Sequence, residues 1–259
     1  MRKLSIVLML SLVITLCSVN TWAQVEKPKV QRFFIEEIIV KPGDLSVFDA
    51  AAKEMAAALS KFNFPYAVSV FSREDNHYFF SFPMENYADI DKIFNAWSEM
   101  IGKWGQENYQ ALEKRMVGSF ESVNHAVIRL VPEMSYIPEN PRLNPMEALF
   151  RYWGMCYVKP GKAEQVAANF KKIVAMFKEK NIDTGFETYV VEFGNDTPLY
   201  FYGEIGKSAA DFWAYADKIH ELLGEEIFKI WNETLTCFRR YEPTFGMFRP
   251  ELSYIPKEK

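Results

Sequence analysis

The sequence predicts an α+β fold in which one β-α-β-β-α-β unit, the ferredoxin-like split pattern, is written twice in tandem. Val40-Lys41-Pro42-Gly43 recurs as Val158-Lys159-Pro160-Gly161. Pro132-Glu133-Met134-Ser135-Tyr136-Ile137-Pro138 recurs as Pro250-Glu251-Leu252-Ser253-Tyr254-Ile255-Pro256. Both pairs are separated by 118 residues. Ala88-Asp89 aligns with Ala210-Asp211, and Glu99-Met100-Ile101-Gly102 with Glu221-Leu222-Leu223-Gly224, after a drift of a few residues that loop insertions produce. A period this long marks a duplicated domain, because solenoid repeats run about 20–50 residues.

Each element follows from local chemistry. Phe33 to Val40 is apolar and β-branched, which reads as a strand. Lys-Pro-Gly turns the chain, proline fixing φ and glycine relieving it. Asp44 or Ser46 can cap the next helix. Phe48, Ala51, Ala52, Met55, Leu59 and Phe62 then recur at helical spacing. Tyr66–Phe71 and Tyr78–Phe82 read as hairpin strands around a polar tip at 72–77. Residues 88–116 read as a long helical stretch broken near Gly102 and Gly105, and Val117–Val123 as a closing strand. The second copy predicts a strand over 151–158, a helix over 163–180, hairpin strands over 186–193 and 199–204, helices over 209–232 and a strand over 235–241. The repeats are bounded at 31–138 and 148–259, with a linker over 139–147.

The N-terminus reads as a secretory signal peptide over 1–23. Arg2 and Lys3 precede an apolar run from Leu4 to Leu16, and Thr21-Trp22-Ala23 offers small residues to a peptidase. That run is too short for a bilayer-crossing helix of roughly 20 residues. Cys17 follows Leu16, where a lipoprotein peptidase wants a small residue. The expected location is exported, periplasmic or secreted, with no stable membrane span after processing. Removing Arg2 and Lys3 from 30 basic residues leaves 28 against 34 acidic, a net charge near −6. That balance argues against nucleic-acid partners, which need a concentrated basic face. The expected assembly is a monomer or small homo-oligomer.

An aromatic-rich strand ending in Val-Lys-Pro-Gly, followed by a helix with an apolar inner face, resembles the start of the dimeric α/β-barrel superfamily. That superfamily includes the antibiotic-biosynthesis-monooxygenase-like, NIPSNAP-like and EthD-like domains. The resemblance covers roughly 33–123 and 151–241. It implies that two four-stranded sheets face each other and close into an eight-stranded barrel, here an intramolecular one. Each half has an apolar sheet face left over once its helices cover the other, and that face must be buried.

Candidate chemistry is sparse. His77, His125 and His220 do not repeat between the halves, and none has a second histidine at metal-ligand spacing, so no metal site and no cofactor is expected. His77 reads as a solvated turn residue and His220 as part of a helix face. His125 is the one weak candidate for a general base or haem ligand. Glu36 and Glu37 are adjacent on one strand and point to opposite faces. Cys156 and Cys237 fall on neighbouring strands, where a disulfide and two buried thiols are both open readings. Tyr200 and Tyr202 share one face of a strand and Phe201 takes the other. With Trp153 they suggest a ligand-lining wall. Tyr136 and Tyr254, in the duplicated Pro-Glu-x-Ser-Tyr-Ile-Pro tails, read either as arms clamping the halves together or as pocket mouths.

Aromatic excess without a catalytic constellation favours a protein that holds a small apolar or aromatic molecule. Two alternatives stand beside it. One is an enzyme, since the resemblance includes cofactor-independent monooxygenases and haem-handling enzymes. The other is a structural or interaction protein with a filled barrel.

Overall fold

A computed structural model describes residues 31–144 and 146–257. The signal peptide expected over 1–23 lies outside the described residues. The first copy supplies β1 (Arg32–Val40), α1 (Leu45–Lys61), β2 (Ser69–Arg73), β3 (His77–Met84), α2 (Asp89–Trp104), α3 (Gln106–Ser119) and β4 (Phe120–Leu130). The second supplies β5 (Phe150–Val158), α4 (Ala163–Glu179), β6 (Phe186–Phe193), β7 (Leu199–Gly206), α5 (Ala209–Leu235) and β8 (Phe238–Phe248). The strands close into one barrel in the order β1-β3-β2-β8-β5-β7-β6-β4.

Local causes are visible at the element ends. A single 3-10 turn over Pro42–Asp44 precedes α1, and the Asp44 side chain makes no capping bond there, unlike the predicted cap. The break between α2 and α3 falls at Gly105, whose φ of 94° suits glycine. In the second copy the equivalent break is a kink at Gly224 inside α5. The first hairpin turns at 74–76, so Arg73 and His77 belong to strands rather than to a solvated tip.

Both closing strands run well past their predicted ends, and the extra residues make the barrel. Residues 127–130 of β4 pair with 189–193 of β6. Residues 246–248 of β8 pair with 71–73 of β2. These residues also pair within their own half, with β1 and β5, so each closing strand is shared between its own sheet and the edge of the other half.

The duplicated tails cross over reciprocally. Tyr136 exchanges both backbone hydrogen bonds with Phe186 at 2.9 Å, and Tyr254 exchanges both with Val68 at 2.8 Å. The Ser135 hydroxyl accepts from the Thr188 amide, and the Ser253 hydroxyl from the Val70 amide. Met134 and Tyr136 are buried in the core of the second half, Leu252 and Tyr254 in that of the first. Each tail therefore completes the opposite core.

Charged clasps also span the halves. Glu192 on β6 accepts from Arg32 Nε at 2.7 Å, Arg129 Nε at 2.6 Å and Tyr87 Oη at 2.6 Å, all from the first copy. Burial pushes its carboxyl up, but these donors outweigh that and hold it down at about 2. Arg249, past β8, donates to Asp49 at 2.8 Å.

Leu252 is 2 % exposed. Leu252→Ala should lower the unfolding free energy by about 3 kcal/mol, read by urea titration. Both halves should still unfold in one transition, because the tail ties one core to the other. A carboxylate held below its unfolded value stabilises the fold above the ordinary carboxylate range and loses that contribution as pH falls toward 2. Glu192→Gln should therefore be less stable than the parent at pH 7 by about 1–2 kcal/mol. The two should converge as pH falls from about 4.5.

Candidate ligand site in the barrel

An eight-stranded barrel has an interior just wide enough to be filled by side chains or to hold one small ligand. Here the interior encloses a cavity of about 430 Å³. Strand alternation selects its walls. Phe33, Ile35 and Glu37 come from β1, Phe71 and Arg73 from β2, Phe79 and Ser81 from β3, and Asn124, Ala126 and Ile128 from β4. The second copy adds Arg151, Trp153, Met155 and Tyr157 from β5, Glu187, Tyr189 and Val191 from β6, and Phe201 and Ile205 from β7.

Trp153 is seated by missing side chains. A Cβ on Gly246 would come within 2.5 Å of its ring, so glycine on β8 lets the indole lie across the wall. Phe71 and Phe79 pack on it with ring centroids 6.2 and 6.4 Å away. On the far side of the sheet Gly154 does the same for Tyr202, whose ring stands 2.2 Å from where a Cβ would be.

One end of the cavity is polar. Glu37 Oε1 lies 2.7 Å from His77 Nδ1, and Glu37 Oε2 accepts from Asn124 Nδ2 at 3.2 Å. His77 Nε2 is 3.6 Å from Asp75, which accepts two bonds from Arg73 at 2.6 and 2.7 Å. Burial raises the Glu37 carboxyl, yet His77, Asn124 and the charge of Arg73 outweigh it and hold the group below its ordinary value. At the N-terminal end of β5, burial depresses Arg151 to about 10 against the opposing charges of Glu187 and Tyr189. The Tyr189 hydroxyl donates to Glu187 at 2.8 Å. The site thus offers an apolar aromatic wall, an ionised carboxylate at one end and a guanidinium–carboxylate–phenol group elsewhere, the composition of a small-molecule pocket.

Of the residues singled out from sequence, Trp153 lines this cavity. Tyr200 and Tyr202 do not: they face the helices, and Phe201 between them faces the interior. The alternation was read correctly but its inner face was not, because a strand's period does not say which side the helices cover. Tyr202 Oη bonds Tyr241 Oη at 2.8 Å, and Tyr241 bonds Tyr152 at 2.8 Å, forming a hydroxyl chain under α4 and α5. Tyr136 and Tyr254 are buried tail residues whose hydroxyls donate to the carbonyls of Ile182 and Phe64. His125 borders the cavity, but its ring stacks on the outward-facing Phe34 at 5.4 Å and its Nε2 is 3.4 Å from Glu36. His77, read as a turn residue, is instead bonded at the cavity's polar end.

Cys156 and Cys237 are both buried free thiols. Cys156 sits opposite Tyr241 on β8, four residues beyond Cys237, a shift of about 13 Å along a strand. A disulfide needs Cα atoms within about 7 Å. The open pairing is thereby corrected to two thiols, and burial pushes that of Cys156 up.

Among the described residues no group of three His, Cys, Asp or Glu side chains is placed to hold a metal ion. The haem-handling alternative that the resemblance implies carries an Asn, a Trp and a His together. Asn124 points into the barrel and His125 out of it, while Trp104 packs on Phe62 and Tyr109 in the helix layer. Both ring nitrogens of His77 face carboxylates. These residues do not fit a haem site.

Phe201→Ala should weaken binding of an apolar probe in the barrel at least severalfold. Tyr202→Phe should leave probe affinity unchanged while costing about 1 kcal/mol of stability through the broken hydroxyl chain. Probe titration and urea melts of both variants read the two effects separately.

No family model and no curated protein matches the chain. Solved structures do. An anthrone oxidase-like protein aligns with a TM-score of 0.58 at 8 % identity, over 86 % of this chain and 92 % of that one. A candidate monooxygenase from Lactobacillus acidophilus NCFM aligns at 0.52 and 11 % identity, over 88 % and 97 %. A variant of chlorite dismutase from Candidatus Nitrospira defluvii aligns at 0.51 and 11 % identity, over 86 % and 92 %. At these identities the likeness is one of fold, the closed barrel of two β-α-β-β-α-β units.

Proposed function

We propose that this protein binds one small, largely apolar or aromatic molecule inside its barrel. The observation that carries the reading is the 430 Å³ interior walled by Phe33, Phe71, Phe79, Trp153 and Phe201. A filled barrel would have closed this space with larger side chains, whereas Ala126 and Gly203 line it instead. Aromatic walls with a few fixed polar groups bind by excluding water from apolar surface and orient the ligand through those groups. The structures sharing the fold include an anthrone oxidase-like protein and candidate monooxygenases, so turnover of the bound molecule is a second reading. The ionised Glu37 bonded to His77 is the feature here that favours it, as a pair able to hold a proton.

Naphthalene should bind with one molecule per chain and quench Trp153 fluorescence. Ile35→Trp, which places an indole in the centre of the interior, should weaken that binding at least tenfold. Unchanged affinity in this variant would remove the barrel as the site. The proposed place of action is outside the cytoplasm, supported by the signal-peptide pattern of residues 1–23. Mass analysis of the protein from its native host should find a chain beginning at Gln24, and a mature chain retaining Met1 would contradict export by this route.

A further inference from the structure

The charges at the polar end of the barrel do not balance. Arg73 is bonded to Asp75, and its charge reaches Glu37. Two carboxylates therefore share one guanidinium and the ring of His77 between them, and with that imidazole neutral the group carries a net charge of −1 at the end of an apolar cavity. Other charges in the lining are matched close by. Arg151 feels Glu187, and Asp196 is bonded to Arg240 at 2.8 Å. Glu37 accepts one bond on each oxygen, from His77 and Asn124, and a carboxylate oxygen has room for a second. An ionised carboxylate removed from bulk water is stabilised most by a cation that also donates hydrogen bonds.

The same end of the barrel already seats cations on ring faces. Arg73 lies 5.5 Å from the Phe79 centroid and Arg240 3.7 Å from that of Tyr157. A positive group entering beside Glu37 would bring the fixed charge to zero with aromatic surface around it.

We infer that the ligand presents a protonated amine to Glu37 while its apolar body lies along Phe79, Trp153 and Phe201. This rests on the reading of the barrel interior as a small-molecule site and names the class of molecule it takes. An acid of the same shape is disfavoured by the excess carboxylate. An alcohol of the same shape makes one hydrogen bond and leaves the charge in place.

The test is calorimetric titration at pH 8, above the ordinary imidazole range, with three probes of one shape: naphthylmethylamine, naphthylmethanol and naphthoic acid. The amine should bind about tenfold or more tighter than the alcohol, and the acid more weakly than the alcohol. Glu37→Gln should erase the advantage of the amine while the alcohol keeps its affinity within about threefold, which also shows that the variant is folded. Arg73→Gln should tighten the amine severalfold, since it removes a fixed cation whose charge reaches Glu37. Equal binding of amine and alcohol, tightest binding of the acid, or an amine advantage that survives Glu37→Gln would overturn the inference and leave the barrel site standing. Failure of all three probes to bind would overturn the barrel site and the inference together.

Discussion

Each half of this chain is a four-stranded sheet with two edges, and an open edge exposes a row of unpaired amides and carbonyls. The β2–β8 and β4–β6 seams remove all four edges at once. They also turn two apolar sheet faces toward each other and create an interior. The candidate ligand site is a consequence of those seams. Glu37 and His77 belong to the first half, Trp153 and Phe201 to the second, and no single half contains the cavity.

Closure by strand pairing alone would rest on short contacts, three residue pairs at β2–β8 and four at β4–β6. The crossed tails and the charged clasps reinforce them. Tyr136 and Tyr254 are held by the same pair of backbone bonds in opposite halves, and Met134 and Leu252 fill equivalent core positions. Such symmetry explains why Pro-Glu-x-Ser-Tyr-Ile-Pro is the longest stretch the two copies share. It is the part of the unit that must fit its counterpart as well as itself. The interior is under no such constraint, and there the copies diverge: Glu37 stands where the second copy has Met155, and Phe33 where it has Arg151.

That contrast also explains what could be read from sequence. The order of elements and the helix breaks at glycine were legible because they depend on local pattern and on the repeat, while the closed barrel came from what the family resemblance implies. The ends of β4 and β8 were not, since their partners, β1 and β6 for β4 and β5 and β2 for β8, are set by the assembled barrel. Tyr200 and Tyr202 were placed on the correct shared face, yet only the packing of α4 and α5 decides that this face is the outer one. His77 carried no signal at all. Its meaning depends on sitting across β3 and β1 from Glu37, and register is a property of the folded sheet.

Two halves of one chain close around an open, ligand-sized interior rather than a packed core. A crystal of the protein held under xenon pressure tests this directly, because xenon enters apolar cavities of this size. Xenon density is expected inside the barrel, between Trp153, Phe79 and Phe201. Absence of density there, with those rings packed against one another, would contradict it.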